Sequence, residues 1–268
     1  MPTNASPKIC KFEKIRKQSL ENSHIDYNIH MMLTVPENNV SLSPWQTQSR
    51  NGPFHLSAFL ADAAERTPET TLTVDGMEFT CEQAWMNVLR IATWLQQNGV
   101  HRGEKVVAVL RHSPDLHLIT LAVAHIGAVI SIISPQIRSQ AFQAILEEAE
   151  PVCLFLEKTS RHLKDVAENI LTVWLGEGLN GGNWDEADFS EVMSTRPAWG
   201  MRFPGKSEDP AFLVFSESAG TDRKPGVVLT HENVRLMLSE QPRQGNAFLS
   251  LFHTDEACPE IETAVLEA

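Results

Sequence analysis

The chain has 268 residues, with 22 Lys plus Arg against 34 Asp plus Glu and a formal net charge of −12. That balance argues against a nucleic-acid backbone or an anionic membrane surface as partner, because neutralising phosphates takes a local excess of cations. No apolar run reaches the ~18 residues of a membrane span, and the opening MPTNASPKICKFEKIRK is polar where a secretory signal has its apolar core, so a cytoplasmic chain is expected. Cys10, Cys81, Cys153 and Cys258 are far apart and form no C-x-x-C pair, which argues against a zinc knuckle or a disulfide framework.

Residues 1–52 show no sustained period and are punctuated by Pro36, Asn38, Asn39, Pro44, Asn51 and Gly52, as in an irregular extension. Order begins at His55, where Leu56, Phe59, Leu60 and Ala63 fall on one helical face and Pro68 closes the run. Two short strands follow at 71–75 and 77–80, joined through Asp75-Gly76. Thr80 and Gln83 form a T-x-x-Q capping box, worth about 1 kcal/mol, ahead of a helix bearing Trp85, Val88, Leu89, Ala92 and Leu95. Asn98-Gly99 ends it, and KVVAVL at 105–110 reads as a buried strand. Ser113-Pro114 places an N-cap and a first-turn proline before DLHLITLAVAHIGA, a helix apolar on nearly all sides.

Strand and helix then alternate: a strand at 129–133, a helix over 139–149, a strand at 153–157, a helix over 160–168 and a strand at 171–175. Residues 176–208 interrupt the pattern with glycines and prolines and leave room for one short helix around 186–194. Strands at 211–215 and 226–230 follow, then a helix after Thr230. Continuous apolar strands alternating with helices predict an α/β fold, a mostly parallel sheet covered on both faces.

Between the last two strands lies SESAGTDRKP, residues 216–225. Small residues let backbone N–H groups approach an oxyanion closely, hydroxyls add donors and a cation offsets charge, so the composition suits a phosphate. A Walker A loop is absent. Ser216, Ser218, Gly220, Thr221, Lys224 and Gly226 are the candidate nucleotide-binding residues.

The run LVFSESAGTDRKPGVVLTHENV resembles the nucleotide-binding loop of the adenylate-forming acyl-CoA synthetase and adenylation-domain superfamily, a Thr-Ser-Gly-Thr-Thr-Gly-x-Pro-Lys-Gly run followed by Val and a Thr-His-x-Asn segment. Upstream, Gly99-Val100 through Val106, with Glu104 in place of aspartate, and Gly127-Ala128-Val129 are similar to two further turns of that family. The likeness covers residues 54–240. It implies ATP-dependent activation of a small carboxylic acid to an acyl-adenylate, with Mg2+ on the phosphates and transfer to coenzyme A or a carrier thiol. Residues 53–240 are then a partial AMP-binding domain and 241–268 a tail outside the pattern.

Departures limit what carries over. Aligned back from Gly226, the chain has Glu217, Ala219 and Asp222 where the family has threonine, glycine and glycine, and Lys224-Pro225 reverses the family's order. Carboxylates repel a triphosphate, and a Cβ in place of glycine restricts both the backbone angles and the approach of N–H to oxygen. The family's acyl pocket, adenine segment, ribose-binding aspartate and catalytic lysine find no match after Glu240, so a truncated, inactive member is expected. Two other readings stay open: a non-catalytic interaction or regulatory remnant, including one whose protein partner supplies the missing domain, and a serine esterase. In the last, Phe215-Ser216-Glu217-Ser218-Ala219-Gly220 is similar to a nucleophile elbow, with Ser218 as nucleophile and His231 or His253 as base.

The ten histidines show no metal-ligand spacing; His117 and His125, eight residues apart on the apolar helix, read as core histidines bonded to carbonyls, and His231 as shaping the start of the last helix. The run Glu147-Glu148-Ala149-Glu150 reads as a solvated helix end.

Overall fold

Each strand of the central sheet, apart from the three-residue edge strand at 186–188, is a short apolar run whose alternate residues serve opposite faces. The structure, a computed structural model, describes residues 28–29, 54–74, 77–176, 185–198, 205–215, 226–240 and 252–253. The chain order is β1 (Asn28–Ile29), α1 (Ala58–Arg66), β2 (Thr71–Val74), β3 (Met77–Thr80), α2 (Cys81–Gln97), β4 (Lys105–Val109), α3 (Pro114–His125), β5 (Val129–Ile133), α4 (Ser139–Ala149), β6 (Cys153–Glu157), a 3-10 helix (Lys158–Val166), β7 (Leu171–Leu175), β8 (Glu186–Asp188), α5 (Phe189–Ser194), β9 (Pro210–Val214), β10 (Val227–Thr230), α6 (His231–Glu240) and β11 (Phe252–His253).

Seven strands form the main sheet in the order β10-β9-β5-β4-β6-β7-β8. All neighbours are parallel except β10, which runs antiparallel to β9. β2 with β3 and β1 with β11 make two separate antiparallel pairs. Period-two alternation assigns the faces. Val106, Ala108, Phe155 and Val173 join a core with α1, α2 and α3, whereas Val107, Val109, Leu154, Leu156 and Trp174 join a second core with α4 and the 3-10 helix. The α/β fold with helices on both faces is what the apolar runs predict.

Local signals hold. Gln83 N–H donates to Thr80 Oγ1 at 3.1 Å and Thr80 N–H to Gln83 Oε1 at 3.0 Å, completing the capping box. Gly99 closes α2 with φ +86°, a conformation that suits glycine. Ser113 Oγ accepts from Leu116 N–H at 3.3 Å, and α3 is buried from Leu116 to His125. The two family-like turns meet where Gly103 N–H donates to the Gly127 carbonyl at 2.9 Å.

Two elements differ from expectation. The helix expected over 160–168 is a 3-10 helix over Lys158–Val166, with Ser160 at φ −97°, ψ 17°. Its apolar contacts, Leu163 and Val166, are three residues apart, which suits the tighter winding. The helix expected over 186–194 is a parallel edge strand, Glu186–Asp188, followed by a six-residue helix. Tertiary pairing makes that strand: Thr172 N–H donates to the Asp185 carbonyl at 2.7 Å, and Lys164 Nζ reaches Asp185 Oδ2 at 2.8 Å and Thr172 Oγ1 at 3.1 Å. That ammonium hydrogen bond holds the Asp185 carboxyl below the usual range. Apart from the β1 and β11 pair, the expected extension 1–52 and tail 241–268 lie outside the described residues, as does the Asp75-Gly76 turn. Among the described residues no helix is long and apolar enough to cross a membrane.

Candidate functional site

β9 runs parallel to β5, so the connection to β10 leaves from the carboxyl end of β9, the end at which parallel sheets bind ligands. Ser216, Ser218, Gly220, Thr221 and Lys224 lie on that connection, outside the described residues. What the structure defines is the frame on either side of it, from β9 to Phe215 and from Gly226 through α6.

Gly226 cannot carry a side chain without displacing the core. A Cβ there would stand 2.7 Å from Leu213 Cδ1 and 2.9 Å from Phe215 Cε1. Its main-chain N–H donates to Glu148 Oε1 at 2.5 Å, so one residue of the exposed acidic run at the end of α4 holds the start of β10. Glu147, Glu148 and Glu150 are exposed, as a solvated helix end requires, and Glu148 carries this long-range contact in addition. The contact spans 78 residues of sequence, which local pattern cannot reveal.

The Thr-His-x-Asn segment has a structural role. Thr230 N–H donates to Asn233 Oδ1 at 2.9 Å and Asn233 N–H to Thr230 Oγ1 at 3.2 Å, a capping box that starts α6. His231, between them, is wholly buried. Its Nδ1 accepts the Leu56 N–H at 3.2 Å, which puts the proton of the neutral ring on Nε2. The His55 ring lies 4.0 Å from it, and Ser57 Oγ lies 3.1 Å from His55 Nδ1 and 3.3 Å from His125 Nδ1. His55 before α1 and His125 of α3 thus meet at Ser57, and His231 at the start of α6 joins them through the His55 ring. His125 bonds a hydroxyl here rather than only the carbonyls expected, and the Trp85 ring stands edge-on to it. His117 packs its ring 4.8 Å from His112.

Burial, with the His55 ring second, lowers His231 to about 3, and burial, with the His125 ring second, lowers His55 to about 4, against the opposing pull of Asp209 on both. Burial pushes Asp209 up, but the Lys206 N–H and the Arg102 guanidinium outweigh it and hold the carboxyl below its usual range. Arg102 Nη2 stands 2.9 Å from Asp209 Oδ2. The Asp209 carbonyl accepts the His231 N–H at 3.2 Å, and Ser207 Oγ accepts the Phe54 N–H at 2.7 Å. Residues 54–57, 205–209 and 231 are therefore one bonded unit beneath the loop frame.

This geometry removes support from the esterase reading. A nucleophile elbow leads directly into a helix, whereas β10 follows the 216–225 connection. His231 as base is corrected: its ring is enclosed and its Nδ1 is engaged by Leu56. Among the described residues no group of three or more His, Cys, Asp or Glu could hold a metal ion.

The class of fold is a mostly parallel α/β sheet with helices on both faces and one antiparallel edge strand. The profile of the AMP-binding enzyme family matches residues 60–261, and the chain belongs to that family. It is 24% identical over 177 residues to 2-succinylbenzoate–CoA ligase of Bacillus anthracis (strain A0248), covering 65% of this chain and 33% of the relative. It is 26% identical over 207 residues to the peroxisomal benzoate–CoA ligase of Arabidopsis thaliana, covering 70% of this chain and 36% of the relative. The fold is similar to a crystal structure of a benzoate CoA ligase from Burkholderia xenovorans LB400, with a TM-score of 0.59 at 18% identity over 69% of this chain and 36% of that one. The chain spans about a third of the length of the curated relatives it matches.

Proposed function

We propose that the chain is the N-terminal part, residues 53–240, of a carboxylate-activating ligase whose 216–226 connection faces the phosphates of ATP. The single observation that carries this reading is the family match over residues 60–261. It brackets a connection that leaves the carboxyl end of β9. Ser216, Ser218 and Thr221 supply hydroxyl donors, Gly220 close backbone approach and Lys224 a cation, while Gly226, whose N–H is donated to Glu148, sets where the strand resumes. In the reaction, a carboxylate oxygen of the substrate attacks the α-phosphorus of ATP, the bond to the bridging oxygen breaks and pyrophosphate leaves. A thiol then takes the acyl group and AMP departs. Names of the relatives, benzoate and 2-succinylbenzoate ligases, support an aryl carboxylic acid as substrate class and coenzyme A as acceptor.

Mg2+ would enter with the triphosphate and offset its charge. Among the described residues no group of three or more His, Cys, Asp or Glu would hold the ion, and the Gly226 N–H on the described flank is donated to Glu148 rather than open to a phosphate oxygen.

The loop's own chemistry weakens this function. Glu217 and Asp222 add two negative charges where a triphosphate binds, and Ala219 and Asp222 replace residues that let backbone N–H groups come close. Adenylation in this chain is therefore proposed to be suppressed. Calorimetric titration with Mg-ATP and pyrophosphate exchange with benzoate test it. Weak nucleotide binding, strengthened about tenfold or more in the triple variant E217T/A219G/D222G, is expected. Rapid exchange by the unaltered chain would overturn the suppression. Failure of the triple variant to bind ATP would overturn the ligase reading and favour a non-catalytic remnant.

A further inference from the structure

We propose that Glu148 is a positioning residue for the nucleotide loop: its carboxylate latches the first residue after the 216–225 connection and so fixes where that connection re-enters the sheet. The affinity part of this inference rests on the ligase reading above; the latch itself does not.

Two independent contacts hold Gly226. From the core side, Leu213 and Phe215 leave no space for a Cβ, so the main chain is pressed against the layer shared with Phe142, Ile145 and Ala149 of α4. From the solvent side, Glu148 Oε1 takes the Gly226 N–H at 2.5 Å. Gly226 stands just before Val227, which pairs with Val214 in the last register position of the β9 and β10 ladder. Beyond that pair the ladder gives the strand start no further partner, and the carboxylate of a neighbouring helix supplies one. A charge-assisted bond from carboxylate to amide is about twice as strong as a neutral one, so an exposed side chain is able to fix the backbone here.

The same carboxylate has an electrostatic cost. Held at Gly226, it adds a negative charge next to the point where the connection ends, while the connection's own sequence already carries Glu217 and Asp222. Latch and charge are separable by substitution. Glu148→Ala removes both, whereas Glu148→Gln keeps an acceptor oxygen and removes the charge.

The test is amide hydrogen exchange and the amide NMR shift of Gly226, read in the full chain and in both variants, with Mg-ATP titration alongside. In E148A, exchange at Gly226 is expected to accelerate about tenfold or more and its amide proton to move upfield, while the thermal midpoint stays near that of the unaltered chain because Glu148 is a surface residue. In E148Q, exchange is expected between the original value and that of E148A, because the amide oxygen is an acceptor without the charge, and Mg-ATP binds at least as tightly as to the unaltered chain; in E148A it binds about threefold or more weakly. Unchanged exchange at Gly226 in E148A overturns the latch. Equal acceleration at all amides in E148A also overturns it, since that is general destabilisation. If the unaltered chain and both variants bind no Mg-ATP, the ligase reading falls while the Gly226 exchange still decides the role of Glu148.

Discussion

The buried His231 ring and the half-buried His55 ring stand with centroids 4.0 Å apart, and the Leu56 N–H needs an unprotonated Nδ1 on His231. Both rings are therefore neutral in the folded chain, with pKa values near 3 and near 4. In the unfolded chain they titrate near 6.5. Above that pH neither state takes up protons and the full stability is present. As pH falls from about 6.5 toward 4 and then 3, the unfolded chain binds protons that the folded chain refuses, and stability is lost. Urea unfolding at pH 7.5 and pH 5 should differ by roughly 2 kcal/mol for each of the two rings, since pH 5 lies about 1.5 units below the unfolded pKa and above both folded values, and one pKa unit is worth about 1.4 kcal/mol. His231→Gln should flatten that dependence, and a slope equal to that of the unaltered chain would count against the pair. Gly226→Ala belongs to this scale too. Its Cβ would overlap Leu213 and Phe215, and overpacking of this kind costs about 1–3 kcal/mol in a denaturant titration.

Helix starts in this chain are written in short range and are the most legible elements. Thr80 with Gln83, Ser113 with Leu116 and Thr230 with Asn233 each pair side chain and backbone within four residues. Thr80→Ala should destabilise by about 1 kcal/mol with an unchanged denaturant slope, because one orphan N–H loses its acceptor and no core surface is exposed. A loss of several kcal/mol would mean that the cap does more than start α2. Elements made by distant partners were not legible. β8 has three residues, too few for alternation, and owes its place to Thr172 and Lys164 across the sheet. Glu148 likewise follows the composition of a solvated helix end while its side chain serves a strand 78 residues away.

At the scale of the whole molecule, the parallel strands join two cores, and substitutions on either face test whether they unfold together. Ile119 packs on the α2 and α3 side and Phe142 on the α4 side, both fully buried. Ile119→Ala and Phe142→Ala should each cost about 2–5 kcal/mol, with near-UV and far-UV signals lost in one transition. Separate transitions would show that the sheet does not couple the faces. The apolar runs determined by themselves that strands and helices alternate and that the sheet is buried on both sides, because period and run length are local properties of the chain. Turn and cap residues likewise set most boundaries, and the run 216–226 carried the family resemblance without a structure. Only the tertiary structure decided the strand order, the edge strand at 186–188, the histidine and serine cluster under α6 and the carboxylate that grips Gly226. Each of these joins residues far apart in sequence, and such pairings are set by which surfaces meet once the sheet has closed.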